Sequence, residues 1–198
     1  MFKNINIKIL LYLVFLQIFI ITVSNFLVSI PLEIYGFKLT WSAFSFPLVV
    51  LAIDLTIRVL GKSIARATIT LSYPLAIISS IVVLLIEGST ESVAFRIGFA
   101  SATAYGVSTL LDVYLFQIIR ERYNAWWIAP SISTIFANII DTYVFFFSAF
   151  SNSSDQYMAD NWLEISATQS LIKIIIGLLL FLPFYGVLLN FILKKFKK

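Results

Sequence analysis

Six apolar stretches dominate this chain, each close to or longer than the roughly 20 residues needed to cross a bilayer core. They run about 9–30, 41–60, 69–86, 93–118, 126–150 and 165–193. Of the 198 residues, 60% are hydrophobic and 12% charged, and the mean hydropathy is +0.97. A soluble domain is nearer 45–50% apolar and about 25% charged. A water-soluble globule of this length cannot cover so much apolar surface, so the solvent is a bilayer. The same figures exclude a disordered chain. The expected fold is all-α: a polytopic membrane protein with six transmembrane helices, forming one integral membrane domain over residues 1–198.

The first stretch follows Lys3 and Lys8 but is too long for a signal-peptide core, and no small-residue cleavage site follows it. It reads as a retained helix ending at Pro31. Orientation follows from the cations in the short loops. One side holds Lys3, Lys8, Lys62, Arg66, Arg120, Arg122, Lys194, Lys195, Lys197 and Lys198, with Glu121 its only loop acid. The other holds Lys38 with Glu33, Glu87, Glu91, Asp155, Asp160 and Glu164. Both termini are therefore expected in the cytoplasm. The largest connection, about 151–164, is expected as a polar outer loop.

Several chemistries are excluded by absence. The chain has no His and no Cys, which removes disulfides, Cys/His zinc sites and His-based triads. There is no P-loop to hydrolyse ATP, no H-E-x-x-H helix and no G-x-G-D element of an intramembrane aspartyl protease. No enzyme activity, metal or cofactor is expected. The net charge of +4 lies beside apolar runs, so it orients the chain against lipid rather than marking a nucleic-acid surface.

A charge at the centre of a spanning helix costs about 2.5–3.5 kcal/mol on insertion scales. Such groups face the bundle interior and pair. Two groups separate by depth. Arg96, Asn138, Asp141, Gln169 and Lys173 can meet between the membrane centre and the outer face, with Gln169 and Lys173 on one helix face at i, i+4. An acid, two amides and two cations at one depth exceed what packing needs, and they fit a flat, polar ligand. Inter-helix glue is the competing reading. Asp54, Arg58 and Asp112 lie in the inner half. Asp54 and Arg58 are also i, i+4, and the group reads as a structural ion-pair cluster joining helices two and four, or as an arginine snorkelling to the headgroups, in preference to a gate or proton relay.

Gly98, Ala102 and Gly106 repeat every four residues and predict close helix packing on helix four. Pro47, Pro74, Pro130 and Pro183, with Gly177 and Gly186, predict kinks or a cavity lining. Trp126 and Trp127 read as a cytoplasmic interface belt. Trp41 is either a belt residue or a stacking wall.

Three longer stretches carry a resemblance. TWSAFSFPLVVLAIDLTIR (Thr40 to Arg58), WWIAPSISTIFANIIDTYVFFFSAF (Trp126 to Phe150) with its S-T-x-F-x-N-x-x-D-T core, and KIIIGLLLFLPFYGVLLNFILKK (Lys173 to Lys195) resemble helices two, five and six of bacterial queuosine precursor transporters. That family is similar to the vitamin-uptake transporters, whose folds look like substrate-binding subunits of energy-coupling-factor transporters. The resemblance implies uptake of 7-cyano-7-deazaguanine and 7-aminomethyl-7-deazaguanine for queuosine salvage, and a location in the cell inner membrane. Alternatives are a binding subunit needing a separate ATPase module, and a membrane scaffold. A homo-oligomer or an energising partner is compatible with either transport reading.

The chemistry matches. A 7-deazaguanine presents N–H and amino donors on one edge, which a carboxylate accepts. Asp141 is the candidate, with Lys173 or Asn138 donating to the neighbouring carbonyl. Trp41, Tyr143 or Phe147 is the candidate aromatic wall. The chain departs from the family pattern at Gln169, where relatives can carry an acid. Lys173 then needs another partner, and Asp141 is the available one. A smaller departure is Ser42, where Gly is common.

Overall fold

A computed structural model describes residues 6–28, 31–34 and 37–196. Its elements are α1 (Ile7–Val28), a hairpin of β1 (Pro31–Ile34) and β2 (Phe37–Thr40), α2 (Ser42–Leu60), α3 (Lys62–Ile86), α4 (Glu91–Arg122), α5 (Ile128–Phe150), α6 (Gln156–Ile176) and α7 (Leu182–Phe196). A π-helical turn, Gly177–Phe181, joins α6 to α7. Six helical segments are long and apolar enough to cross a membrane, the last running through the π turn as one span. The all-α, six-span expectation therefore holds, with one addition. The connection after α1 forms a two-stranded antiparallel hairpin, with Glu33 opposite Lys38 in its register. Lys3, Lys197, Lys198 and residues 29–30 of the first expected span lie outside the described residues.

Two expected boundaries move, each for a local reason. Helix α3 begins at Lys62 rather than Ile69. Gly61 takes φ +92°, a value open to glycine, and turns the chain within one residue of Leu60. The polar loop expected at 151–164 shortens, because α6 starts at Gln156. Asp155 caps that helix, its carboxylate accepting from the Met158 N–H at 3.1 Å. Gln156 adds a bond to Asp160 one turn on. Polar residues thus extend the helix beyond the apolar stretch.

Helix α4 lies at the centre, packed between α3 and α5, while α1 lies on α3 and α2. Its small residues explain the fit. A Cβ on Gly98 would meet Ile81 Cγ1 at 2.5 Å, and one on Gly106 would meet the Tyr73 ring at 2.8 Å. In a bilayer the lipid tails are as apolar as the core, so such close backbone approach supplies dispersion contact that burial alone does not. Polar side chains add cross-helix ties. Asn25 on α1 donates to Ser80 on α3 at 2.5 Å and accepts from Ser101 on α4 at 3.0 Å. Ser72 and Tyr105 bond across α3 and α4 at 2.8 Å. The large apolar side chains left outside, such as Phe15, Phe19, Leu179 and Val187, form the perimeter.

The π turn sits where the sequence weakens the last helix. Pro183 has no N–H to give to the carbonyl four residues earlier, at Leu179. Gly177 opens the turn at a point where a Cβ would lie 2.9 Å from Thr134 Cγ2 on α5. Helices α5 and α6 can approach this closely because position 177 has no side chain. A π turn of this kind often marks a functional position in a helix.

Candidate functional site

Two buried pairs of charged residues lie within the bundle, one turn of α4 apart. The first joins α5 to α6. Lys173 Nζ donates to Asp141 Oδ2 at 3.2 Å and to Thr142 Oγ1 at 3.2 Å. Both ends of this ion pair are 7% exposed. Such a pair in an apolar medium persists only when each charge is matched and hydrogen-bonded, and Thr142 supplies part of that. The Ser108 hydroxyl on α4 lies close to the same carboxylate. Asp141 therefore supplies the acid that position 169 lacks.

Asn138 and Gln169 are buried beside this pair, in sequence and on the helix. Asn138 lies three residues before Asp141 and Gln169 four before Lys173. Asn138 Nδ2 donates to the Thr134 carbonyl at 2.8 Å, while its Oδ1 has no donor. It also borders the π turn, 3.9 Å from where a Gly177 Cβ would sit. Three expected members lie elsewhere. Arg96 is exposed and donates to the Ser151 carbonyl at 2.5 Å and the Asn152 carbonyl at 3.4 Å. It thereby satisfies carbonyls left over at the end of α5. Trp41 is 44% exposed and packs on Phe44 at 5.5 Å. Phe147 is exposed and meets Trp162 edge-on at 5.5 Å.

The second pair joins α2 to α4. Asp54 and Asp112 are buried, with their carboxyl groups in hydrogen-bonding reach of each other. Ser133 on α5 reaches both and lies 3.4 Å from Asp54 Oδ1. This arrangement differs from the expected ion-pair cluster. Arg58 forms no ion pair with either acid among the described residues. One turn along α2, its half-buried guanidinium faces Tyr185 of α7 instead. Arg120 approaches the same end of α2, 3.5 Å from the Ile57 carbonyl and 3.4 Å from that of Arg58. The i, i+4 spacing does place Asp54 and Arg58 on one face, but of the two only Asp54 meets the acid of α4, while Arg58 lies beside Arg120.

A crevice opens beside the second pair. Asp54, Thr134, Gly177, Phe181 and Tyr185 line it, with Pro47 and Pro130 at its wall. Its internal volume is about 10 Å³, room for roughly one water. Tyr185 is 2% exposed, and its hydroxyl makes no hydrogen bond of normal geometry.

Comparison with known proteins gives the family of the chain. A family model described as "Putative vitamin uptake transporter" matches residues 40–188. The chain is 41% identical over 199 aligned residues to the "Queuosine precursor transporter" of Escherichia coli (strain K12), covering 95% of this chain and 90% of that protein. This chain belongs to the queuosine precursor transporter family. A "Probable queuosine precursor transporter" of Haemophilus influenzae is 39% identical, covering 94% of this chain and 88% of that protein. One of Bacillus subtilis is 26% identical over 79% of this chain and 74% of its own length. No solved structure gives a significant match.

The stretch that resembles helix five of the queuosine precursor transporters now has a structural meaning. Its polar positions are Ser133, Thr134, Asn138, Asp141 and Thr142. Ser133 serves the Asp54–Asp112 pair, and Asp141 and Thr142 hold Lys173. Thr134 and Asn138 lie between, against the π turn. One helix therefore touches both pairs. Ser108, Ser133, Thr142 and Tyr185 stand outside the site residues expected from the sequence. Ser133 and Thr142 stood inside the motif itself. Ser108 carried no signal, since a serine hydroxyl in an apolar helix usually bonds its own backbone, and Tyr185 carried none, since a tyrosine in an apolar helix commonly packs by its ring.

Proposed function

We propose that this chain carries queuosine precursors, 7-cyano-7-deazaguanine and 7-aminomethyl-7-deazaguanine, inward across the cell inner membrane, working as one membrane domain with both termini cytoplasmic. The observation that carries the reading is the 41% identity, over nearly the whole chain, to a protein named as a queuosine precursor transporter. The loop cations support the orientation. The buried Lys173–Asp141 pair supports the substrate class. A 7-deazaguanine edge offers N–H donors beside a carbonyl acceptor. Inserted between the two side chains, it gives Asp141 its donors and Lys173 its acceptor. The ion pair opens without leaving either charge unmatched. Asn138 Oδ1, buried and without a donor, stands ready to accept another substrate N–H.

The test is queuosine in tRNA. The host lacks its own transporter and precursor synthesis, expresses this chain, and receives limiting 7-cyano-7-deazaguanine. Queuosine should return only when the chain is present. Asp141→Asn should insert normally and restore none. Full restoration by that variant would remove Asp141 from the site. No restoration by the inserted native chain would overturn the substrate assignment or demand a partner subunit.

A further inference from the structure

We infer that Asp54 and Asp112 hold one exchangeable proton between them, and that its release is coupled to substrate movement at the Lys173–Asp141 pair. The inference rests on the transport reading above and adds the energy source to it.

Hydrogen-bond accounting comes first. Both carboxyl groups are buried and within reach of each other. As two carboxylates they could only accept. The Asp112 oxygens, fully buried, then have no hydrogen bond of normal geometry, since the one Ser133 hydroxyl within reach already faces Asp54, and two like charges would sit side by side in an apolar interior. A single proton resolves both faults. One carboxyl becomes a donor, the other accepts, and Ser133 adds its hydroxyl. Paired carboxyls elsewhere share a proton for the same reason.

A route for the proton comes next. The crevice that Asp54 lines has room for about one water. The Tyr185 hydroxyl, buried and unsatisfied, lines it too. Water there would bond Tyr185 and touch Asp54, joining the pair to the membrane face where Arg58 and Arg120 lie.

Every charged group facing the pair fits a site that empties and refills. On α2, Arg58 stands one turn away and unpaired with either acid. On α4, Arg120 borders Arg58, and on α7, Tyr185 borders Asp54 and Arg58. From α5 only Ser133 reaches the acids. On α5 and α6, Asp141 and Lys173 neutralise each other. When the proton leaves, the pair gains one negative charge. Arg58 is the cation near enough to compensate by turning inward.

The coupling element is α4. Ser108 lies close to Asp141, and Asp112 follows it by four residues on the same helix face. Substrate that opens the Lys173–Asp141 pair also disturbs the helix face that holds Asp112. Ser133, Asn138 and Asp141 give α5 the same double contact. No covalent bond changes. A proton passes from the outer solution to the carboxyl pair and then to the inner solution, alongside one substrate.

Purified protein in proteoliposomes, with a pH-sensitive dye inside, tests this directly. Adding 7-cyano-7-deazaguanine outside should acidify the lumen as label enters. With acid outside, accumulation should rise about tenfold per pH unit at one proton per substrate. Asp112→Asn should still exchange label between equal pools but lose both acidification and gradient-driven accumulation. If that variant does not insert, Asp54→Asn carries the same test. Native uptake indifferent to the pH gradient, or driven by sodium instead, overturns the inference. A second readout needs no substrate. The infrared spectrum of the native protein in lipid should contain a protonated carboxylic C=O band that either substitution removes. A spectrum without that band overturns the proton site, whatever is transported. A band with no label uptake supports the proton site and instead overturns the substrate reading.

Discussion

The two buried pairs solve the problem of charge in a membrane in opposite ways. Lys173 and Asp141 cancel each other at 3.2 Å, with Thr142 as a further partner. Asp54 and Asp112 carry the same sign and need something from outside the chain to be stable. The first pair is balanced in charge, and only a ligand that offers both a donor and an acceptor can replace its contacts. The second is complete only with a proton. A site built to bind a flat polar molecule and a site built to exchange a cation should differ in just this way.

The largest expected effect comes from breaking the opposite-charge pair. Lys173→Met leaves Asp141 buried without its cation, a change that costs about 3–5 kcal/mol in comparable pairs. Melting in detergent should drop sharply and uptake should vanish. Lys173→Met with Asp141→Leu should recover most of the melting loss yet restore no uptake. Recovery of uptake by the double variant would make the pair mere inter-helix glue.

Next is the junction between the pairs. Gly177→Ala puts a methyl 2.9 Å from Thr134 Cγ2. Overpacking of this kind costs about 1–3 kcal/mol, and the displaced α5 turn carries both Thr134 and Asn138. Melting should fall by that amount and substrate affinity should weaken. A neutral result would show that α6 can shift away freely.

The like-charge pair should respond with the opposite pattern to Lys173→Met. Asp112→Asn keeps a donor and an acceptor at the position, so stability should stay within about 1 kcal/mol of the native chain. A melting loss as large as that of Lys173→Met would mean that Asp112 has a cationic partner after all. Smallest of all is Arg96→Ala. Its guanidinium is exposed and holds only the Ser151 and Asn152 carbonyls, a contact worth at most about 1 kcal/mol. Tenfold weaker uptake in this variant would return Arg96 to the substrate site.

Much of this was legible in the chain. The six spans follow from apolar runs whose length matches a bilayer. The packing role of Gly98 and Gly106 follows from their spacing, and the Lys173–Asp141 pairing follows from the lack of an acid at Gln169. Other features were not legible, because depth along a helix does not define which way a side chain faces. Arg96 has the right depth for the site and the wrong direction. Arg58 shares a face with Asp54, yet one turn along α2 it lies beside Arg120 of α4 instead of Asp112. The π turn depended on two weak signals, Gly177 and Pro183, that mean little until α5 is placed against them.

The sequence by itself determined the solvent, the number of crossings and the residues that had to be buried with partners, since apolar length and buried charge are local costs paid wherever the helices pack. The tertiary structure alone decided the partners. Whether two acids meet each other or a nearby arginine depends on the rotation of one helix against another. Contacts between α2, α4 and α5 set that rotation, and no single segment encodes it.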